Sequence, residues 1–283
     1  MNWKAAYPVA APEARADRVL AWRAPLHESL PRLADMGYAG VELMIRDAGS
    51  FEVEATRELA GRYGLSFAAV GTGPIAAERG LTLTDPDDAT RREAIDAAAA
   101  AIGLAAGLGC CVTIGGFRGR GGTGDGGGGG EDLERVKARF AASLAELLPI
   151  AEQHDVTLCI EPQNRFQSAF YRTVAEIQPL LEQFPSRALA LSLDSFHMNI
   201  EESDFLTPLQ AAAPRLGYVQ VADNHRGPPG TGLLDFARFR HALAAVGYRG
   251  WICLEVNQPA DARAQARAAL AGLRRTLLEG AEA

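Results

Sequence analysis

Glu161, Asp194, Gln220 and Glu255 each stand directly after a short apolar run, namely Thr157–Ile160, Ala188–Leu193, Gly217–Val219 and Trp251–Leu254. Three carboxylates and one amide are hard oxygen donors, with no imidazole or thiolate among them. That set suits Mg²⁺ or Mn²⁺ better than zinc. Without a cation the acids would repel one another; one divalent ion offsets their charge and leaves open positions for substrate oxygens. A cation holding a carbonyl oxygen and a neighbouring hydroxyl acidifies the C–H bond between them by stabilising the enediolate that forms. Carboxylates on opposite sides of that carbon can then take and return the proton, and Glu161 and Glu255, on well-separated strands, fit that need. The plainer alternative is that these side chains cap the helices that follow.

Such a constellation needs elements that deliver four distant positions to one place. The spacings are 33, 26 and 35 residues (161 to 194, 194 to 220, 220 to 255), each about one strand-helix-strand unit. Near-continuous apolar runs of this length are strands buried on both faces, as in a parallel sheet covered by helices. Candidate strands are Lys4–Val9, Gly40–Met44, Ser66–Val70, Cys110–Ile114, Thr157–Ile160, Ala188–Leu193, Tyr218–Val221 and Trp251–Leu254. Helical patterns alternate with them at Leu26–Met36, Val53–Tyr63, Asp87–Ala106, Leu133–His154, Val174–Gln183, Asp204–Ala213, Asp235–Val246 and Ala260–Glu279. Gly37, Gly64 and Gly247 sit where left-handed C-caps belong. DMGYAGVEL and AVGYRGWICLE are near-copies, each a helix end, a glycine turn and a strand with an acid near its end, Glu42 or Glu255. The expected class is α/β, a single (β/α)₈ TIM barrel over residues 1–283 with its site at the carboxyl rim of the strands. A doubly wound open sheet is the alternative, but no G-x-G-x-x-G follows the first strand.

Composition narrows the function. A net charge of −7 and a pI near 5.3 argue against nucleic acid as a partner. Lys4 and Lys137 are the only lysines, which leaves little for Schiff-base chemistry. Cys110, Cys111, Cys159 and Cys253 lack zinc-type spacing and read as reduced core thiols, the usage of a cytoplasmic protein. No signal-like start and no run of 18 apolar residues is present, so no membrane association is expected. The segment GRGGTGDGGGGGED, Gly119–Asp132, is too glycine-rich for one conformation and reads as a flexible surface loop or, alternatively, a lid. Phe117, Arg118 and Arg120 stand at its root; Arg118 could anchor a substrate carboxylate or phosphate, or simply be solvated.

CIEPQNRF (Cys159–Phe166), LSLDSFHMNIEE (Leu191–Glu202), YVQVADNHRGPPGTG (Tyr218–Gly232) and CLEV (Cys253–Val256), in this order and spacing, resemble the xylose-isomerase-like barrel family of sugar isomerases and epimerases. The nearest likeness is to its ketose 3-epimerases and hydroxypyruvate-isomerase-like members. The first half agrees more loosely, through GYAGVEL, Gly71–Gly73 and Ile114–Arg120. The resemblance implies one divalent cation, Mg²⁺ or Mn²⁺, held by Glu161, Asp194, Gln220 and Glu255, with Glu161 and Glu255 doubling as the acid/base pair. It puts His197 on substrate oxygens and makes Arg226 a substrate contact. Gln220 stands where ketose 3-epimerases usually have histidine and hydroxypyruvate-isomerase-like members can use glutamine. Gln167 stands where the 3-epimerases commonly have a glutamate contacting the sugar. The implied substrate is a small sugar or sugar acid, epimerised or interconverted between aldose and ketose, and the implied assembly is a homodimer or homotetramer. Barrel relatives that cleave abasic DNA use a histidine-rich zinc cluster; this chain has five histidines, of which His27, His154 and His241 fall on helical patterns. A non-catalytic sugar-binding barrel is the third reading.

Overall fold

A computed structural model describes residues 3–12, 14–15, 19–121 and 132–278. The expected glycine-rich loop therefore falls, over residues 122–131, outside the described residues, as does Glu279 of the last helical pattern. The strands are β1 Lys4–Ala10, β2 Trp22–Arg23, β3 Gly40–Met44, β4 Ser66–Gly71, β5 Cys111–Ile114, β6 Leu158–Ile160, β7 Leu189–Asp194, β8 Leu216–Gln220 and β9 Trp251–Cys253. The helices are α1 Leu26–Met36, α2 Val53–Arg62, α3 Gly73–Arg79, α4 Asp88–Leu108, α5 Leu133–Gln153, α6 Val174–Gln183, α7 Ser195–Glu201, α8 Leu206–Ala212, α9 Phe236–Ala245 and α10 Ala262–Leu273.

All pairings are parallel, and each strand from β3 to β9 lies beside its sequence neighbour. β1 pairs β3 on one side and, through Lys4↔Trp251 to Ala6↔Cys253, β9 on the other, which closes the sheet. The expected (β/α)₈ barrel is thus the observed architecture. The two residues of β2 pair with Val9 and Ala10, the part of β1 that runs past its pairing with β9. Three short elements were not anticipated: β2, and the helices α3 and α7, which follow their strands almost without a turn.

Local chemistry explains the boundaries. Gly37 ends α1 at φ 94°, a conformation glycine adopts without a Cβ penalty. Asp87, Asp132, Thr173 and Asp235 accept N–H groups at the starts of α4, α5, α6 and α9. The helices bury one stripe against the outside of the barrel, as with Phe140, Leu144, Leu147 and Ala151 of α5. Each such fully buried Leu or Phe contributes roughly 1.5–3 kcal/mol.

Inside the barrel the packing is separate and made of small residues. Ala6, Ala68, Ala69, Cys159, Ala190 and Cys253 gather around Tyr218, with Cys111 against them. Strand side chains alternate between faces, so positions two residues further along share the same inward face. Two residues beyond Cys111, Cys159, Ala190, Tyr218 and Cys253 stand Thr113, Glu161, Ser192, Gln220 and Glu255, and Asp194 lies four beyond Ala190. The barrel interior therefore changes from apolar to polar within one residue pair, toward the carboxyl ends of the strands.

Candidate active site at the carboxyl rim

The polar layer contains the four positions singled out by sequence. Glu161 follows β6, Asp194 and Gln220 end β7 and β8, and Glu255 lies two residues past β9. Glu161, Asp194 and His197 each bring a donor atom within 4.8 Å of one another, and all three are buried. His197 Nε2 lies 3.5 Å from Glu161 Oε1. Arg226 closes the group from the β8–α9 segment: its Nη1 pairs with Asp194 Oδ2 and, at 2.9 Å, with Glu255 Oε2, while Nη2 lies 3.0 Å from His197 Nε2. Its guanidinium also covers the Phe196 ring at 4.2 Å.

Gln220 is placed differently from the acids. Its Nε2 donates to Glu42 Oε2 at 3.2 Å and to Glu255 Oε1 at 3.4 Å, and its Oε1 accepts from Ser192 Oγ at 3.3 Å. The structure thus brings Gln220 beside Glu255 while a histidine, His197, stands among the donor atoms of Glu161 and Asp194. Gln167 lies half-buried on the loop after β6, and His225 is exposed beside Thr231.

Arg118 is fully buried rather than solvated. Its Nη1 donates to the carbonyls of Glu161, at 2.8 Å, and Tyr171, at 3.1 Å, and the guanidinium stacks over Phe170. These bonds make it a strut under the Glu161 backbone. Its Nε and Nη2 have no hydrogen-bond partner among the described residues.

Further residues build the site, and of these Gly115 and Asp223 carried little signal in the sequence. Asn164 donates Nδ2 to His197 Nδ1 at 2.8 Å, and its own Oδ1 is held by the Phe166 N–H, which fixes the amide's orientation. Gln163 Nε2 donates to Glu161 Oε2 at 2.9 Å. Gly115 is required beside them, because a Cβ there would run into Glu161 Oε2 and Gln163 Nε2. Arg226 has φ 59°, uncommon for a residue with a side chain and costing on the order of 1 kcal/mol. Asp223 sustains that turn, its carboxylate accepting the N–H groups of Asn224, Gly230, Gly232 and Leu234. Glu42, an acid inside an apolar strand, is wholly buried and accepts from Thr113 Oγ1 at 2.7 Å and Tyr218 OH at 3.3 Å.

Burial sets the electrostatics. It pushes the Glu161 carboxyl up to about 8, with Asp194 adding to the rise and Arg226 and Arg118 opposing it. Burial likewise raises Glu255, against the pull of Arg226, and raises Glu42 against the hydrogen bonds it accepts. His197 is driven down to about 3 by burial and then by Arg226, so its ring is neutral at ordinary pH. Against the carboxyl groups of Glu42, Glu161, Asp194 and Glu255 stand the guanidiniums of Arg226 and Arg118. Ionising all four acids leaves an excess of negative charge equal to one divalent cation. Glu161 Oε1 is in addition buried without a hydrogen-bond partner among the described residues, an oxygen that a cation would satisfy. The donor set therefore fits a metal ion.

A closed parallel barrel with acids, an imidazole and an arginine converging at its carboxyl rim defines the class as a (β/α)₈ barrel with an enzyme-type site. The chain belongs to the xylose isomerase-like TIM barrel family, whose model matches residues 30–276. An L-ribulose 3-epimerase of Methylomonas sp. is 31% identical over 228 residues, which cover 78% of this chain and 75% of that protein. An L-ribulose 3-epimerase of Mesorhizobium japonicum is 43% identical over 111 residues, and that match spans 37% of its length and 39% of this chain. Among solved structures, an L-ribulose 3-epimerase superposes with a TM-score of 0.78 at 26% identity, over 96% of this chain and 94% of that one. These relatives are named as epimerases, which are isomerases. No helix among the described residues is long and apolar enough to cross a membrane.

Proposed function

We propose that this chain is a divalent-metal-dependent epimerase of a small keto sugar or sugar acid, moving a proton on and off the carbon beside the carbonyl. The observation that carries the reading is the convergence of Glu161, Asp194 and His197 within 4.8 Å, with Glu255 joined to Asp194 through Arg226. The names of its relatives support the substrate class. Glu161, Asp194, Gln220 and Glu255 would hold one Mg²⁺ or Mn²⁺, with His197 beside them. When bound, the ion supplies positive charge at the substrate carbonyl and lowers the energy of an enediolate.

The side chains divide the remaining work. Glu161 and Glu255 stand on strands separated by β7 and β8, so their carboxylates reach a carbon from different sides and one can remove the proton that the other returns. His197 is neutral, its Nδ1 held by Asn164 and its Nε2 facing Glu161 and Arg226, which aims the imidazole into the cluster where a substrate oxygen would bind. Arg226, anchored on Asp194 and Glu255, holds those two carboxylates in register and presents charge to a developing oxyanion. The four cysteines are free thiols, in keeping with a reducing compartment such as the cytoplasm.

Gln220 favours one second reading. An amide where ketose 3-epimerases usually have histidine is compatible with a hydroxypyruvate-isomerase-like aldose-ketose interconversion by the same pair of carboxylates. Incubation in deuterated water with a panel of ketoses, keto acids and their phosphates, with Mg²⁺ or Mn²⁺, tests both. Deuterium entering a carbon next to the carbonyl is the expected result, and its position separates epimerisation from isomerisation. Binding of a sugar with no deuterium entering any member of the panel would leave a non-catalytic barrel.

A further inference from the structure

Glu42 has no place in the proton transfer, yet it is the most completely enclosed acid of the polar layer, with no exposed surface. It lies inside the β3 run GVELM, where Val41 and Leu43 face the outer core and Glu42 turns the other way, into the barrel toward Tyr218. Three groups donate to it: Thr113 Oγ1 at 2.7 Å, Gln220 Nε2 at 3.2 Å and Tyr218 OH at 3.3 Å. A carboxylate can only accept, so a group meeting it must present a hydrogen. For the Gln220 amide this decides which end faces Glu42: Nε2 turns to the acid, and Oε1 is left to the other side, where the Ser192 hydroxyl meets it at 3.3 Å. The same Nε2 lies 3.4 Å from Glu255 Oε1, so the amide spans two carboxylates.

We propose that Glu42 is a positioning residue for the cation site, fixing the orientation of the Gln220 amide and, through it, the spacing of Gln220 from Glu255. The inference rests on the reading of Glu161, Asp194, Gln220 and Glu255 as ligands. A well-packed amide or leucine at position 42 would hold β3 in place without burying a carboxylate, so stability alone gives no reason for an acid there. Groups that orient metal ligands typically change affinity by about 10–100-fold when removed.

The test measures Mn²⁺ binding, by the loss of the free-ion electron paramagnetic resonance signal, on the full chain and on E42A, E42Q, Q220A and the double variant E42A/Q220A. Thermal melting and circular dichroism run alongside. The parent is expected to bind one Mn²⁺, E42A to bind it about 10–100-fold more weakly, and E42A to cost less than about threefold once Gln220 is already alanine. E42Q keeps the side-chain volume but puts an NH₂ where one accepting oxygen was, so it carries the same test if E42A does not fold; a loss of about 3–10-fold is expected. Parent-like binding by E42A or E42Q would overturn the positioning role, as would an undiminished loss in the Q220A background. A parent that binds no Mn²⁺ would instead remove the metal reading itself, and the role of Glu42 with it.

Discussion

Replacing Asp223 by asparagine should unfasten the segment from 223 to 234, which carries Arg226. Oδ1 of Asp223 accepts from the N–H groups of Asn224, at 2.8 Å, and Leu234, at 3.1 Å; Oδ2 accepts from Gly230, at 2.9 Å, and Gly232, at 2.8 Å. Asparagine keeps one oxygen and turns the other into a donor, so one pair of N–H groups would face an NH₂ whichever way the amide is set. Two charge-assisted bonds are lost at roughly 1.5–3 kcal/mol each, and the partly exposed glycine amides recover some of this from water, which gives a net cost of about 2–4 kcal/mol. The pH dependence follows from the same bonds. Burial alone would raise this carboxyl, but the N–H groups of Gly232, Asn224, Leu234 and Gly230 outweigh it and hold the group below the usual aspartate range. A carboxyl depressed in the folded protein contributes stability that is present above its unfolded value, near 3.9, and lost as pH falls through the folded value. Asp223→Asn should therefore lower the melting temperature most at neutral pH, with the gap to the parent closing below about pH 4. Hydrogen exchange at the amides of Gly230, Gly232 and Leu234 should speed up in the variant. Equal melting at pH 7, or unchanged exchange at those three amides, would refute the claim that one carboxylate fastens this turn.

Further outcomes follow from the site. Glu161→Gln and Glu255→Gln should each slow solvent deuterium exchange into substrate by about 10²–10⁴-fold with folding intact; parent-like exchange by both would rule them out as the acid/base pair. Treatment with a chelator should stop the exchange and lower the melting temperature, since the clustered acids would repel one another without the ion, and added Mn²⁺ should restore both. Arg118→Met should cost about 2–4 kcal/mol, because two buried carbonyls, of Glu161 and Tyr171, lose their donor. Denaturant melts read that loss, and a substrate KM that rises with no change in stability would instead mark Arg118 as a substrate contact.

The fold was largely legible because a closed parallel barrel imposes a strong rhythm on the chain. Each strand is buried on both faces, so the apolar runs at 158–160, 189–193 and 251–253 stand out and end where the barrel opens to solvent. Strand ends came within a residue or two of the observed ones, the variation that hydrogen-bond pairing at frayed ends produces. The short helices α3 and α7 escaped because each begins within two residues of its strand and runs for only 7 residues, too few to establish a helical period. Glu42 was legible only as an acid near the end of its strand, equally readable as a cap or loop residue, for a related reason. Apolar residues continue past it at Leu43 and Met44, so it does not mark the end of a run, and its partners Thr113, Tyr218 and Gln220 come from strands far away in sequence.

Asp194 shows why the competing readings of a strand-end acid need not exclude each other. Its Oδ1 accepts the Phe196 N–H at 2.8 Å and caps α7, which is the role expected of an ordinary helix-capping aspartate. Its Oδ2 faces Arg226 and the cluster with Glu161 and His197. The cap fixes the carboxylate plane, and a fixed plane is what aims the second oxygen, so the structural role serves the chemical one. The same helix places His197 three residues on, in its first turn, which couples the position of the imidazole to that of the acid. Arg226, by contrast, reaches the cluster from a turn held at φ 59° by Asp223, so its placement depends on bonds closed across the loop and not on any local pattern. Sequence periodicity thus delivers the acids, whereas the guanidinium that links Asp194 to Glu255 is delivered by tertiary hydrogen bonding.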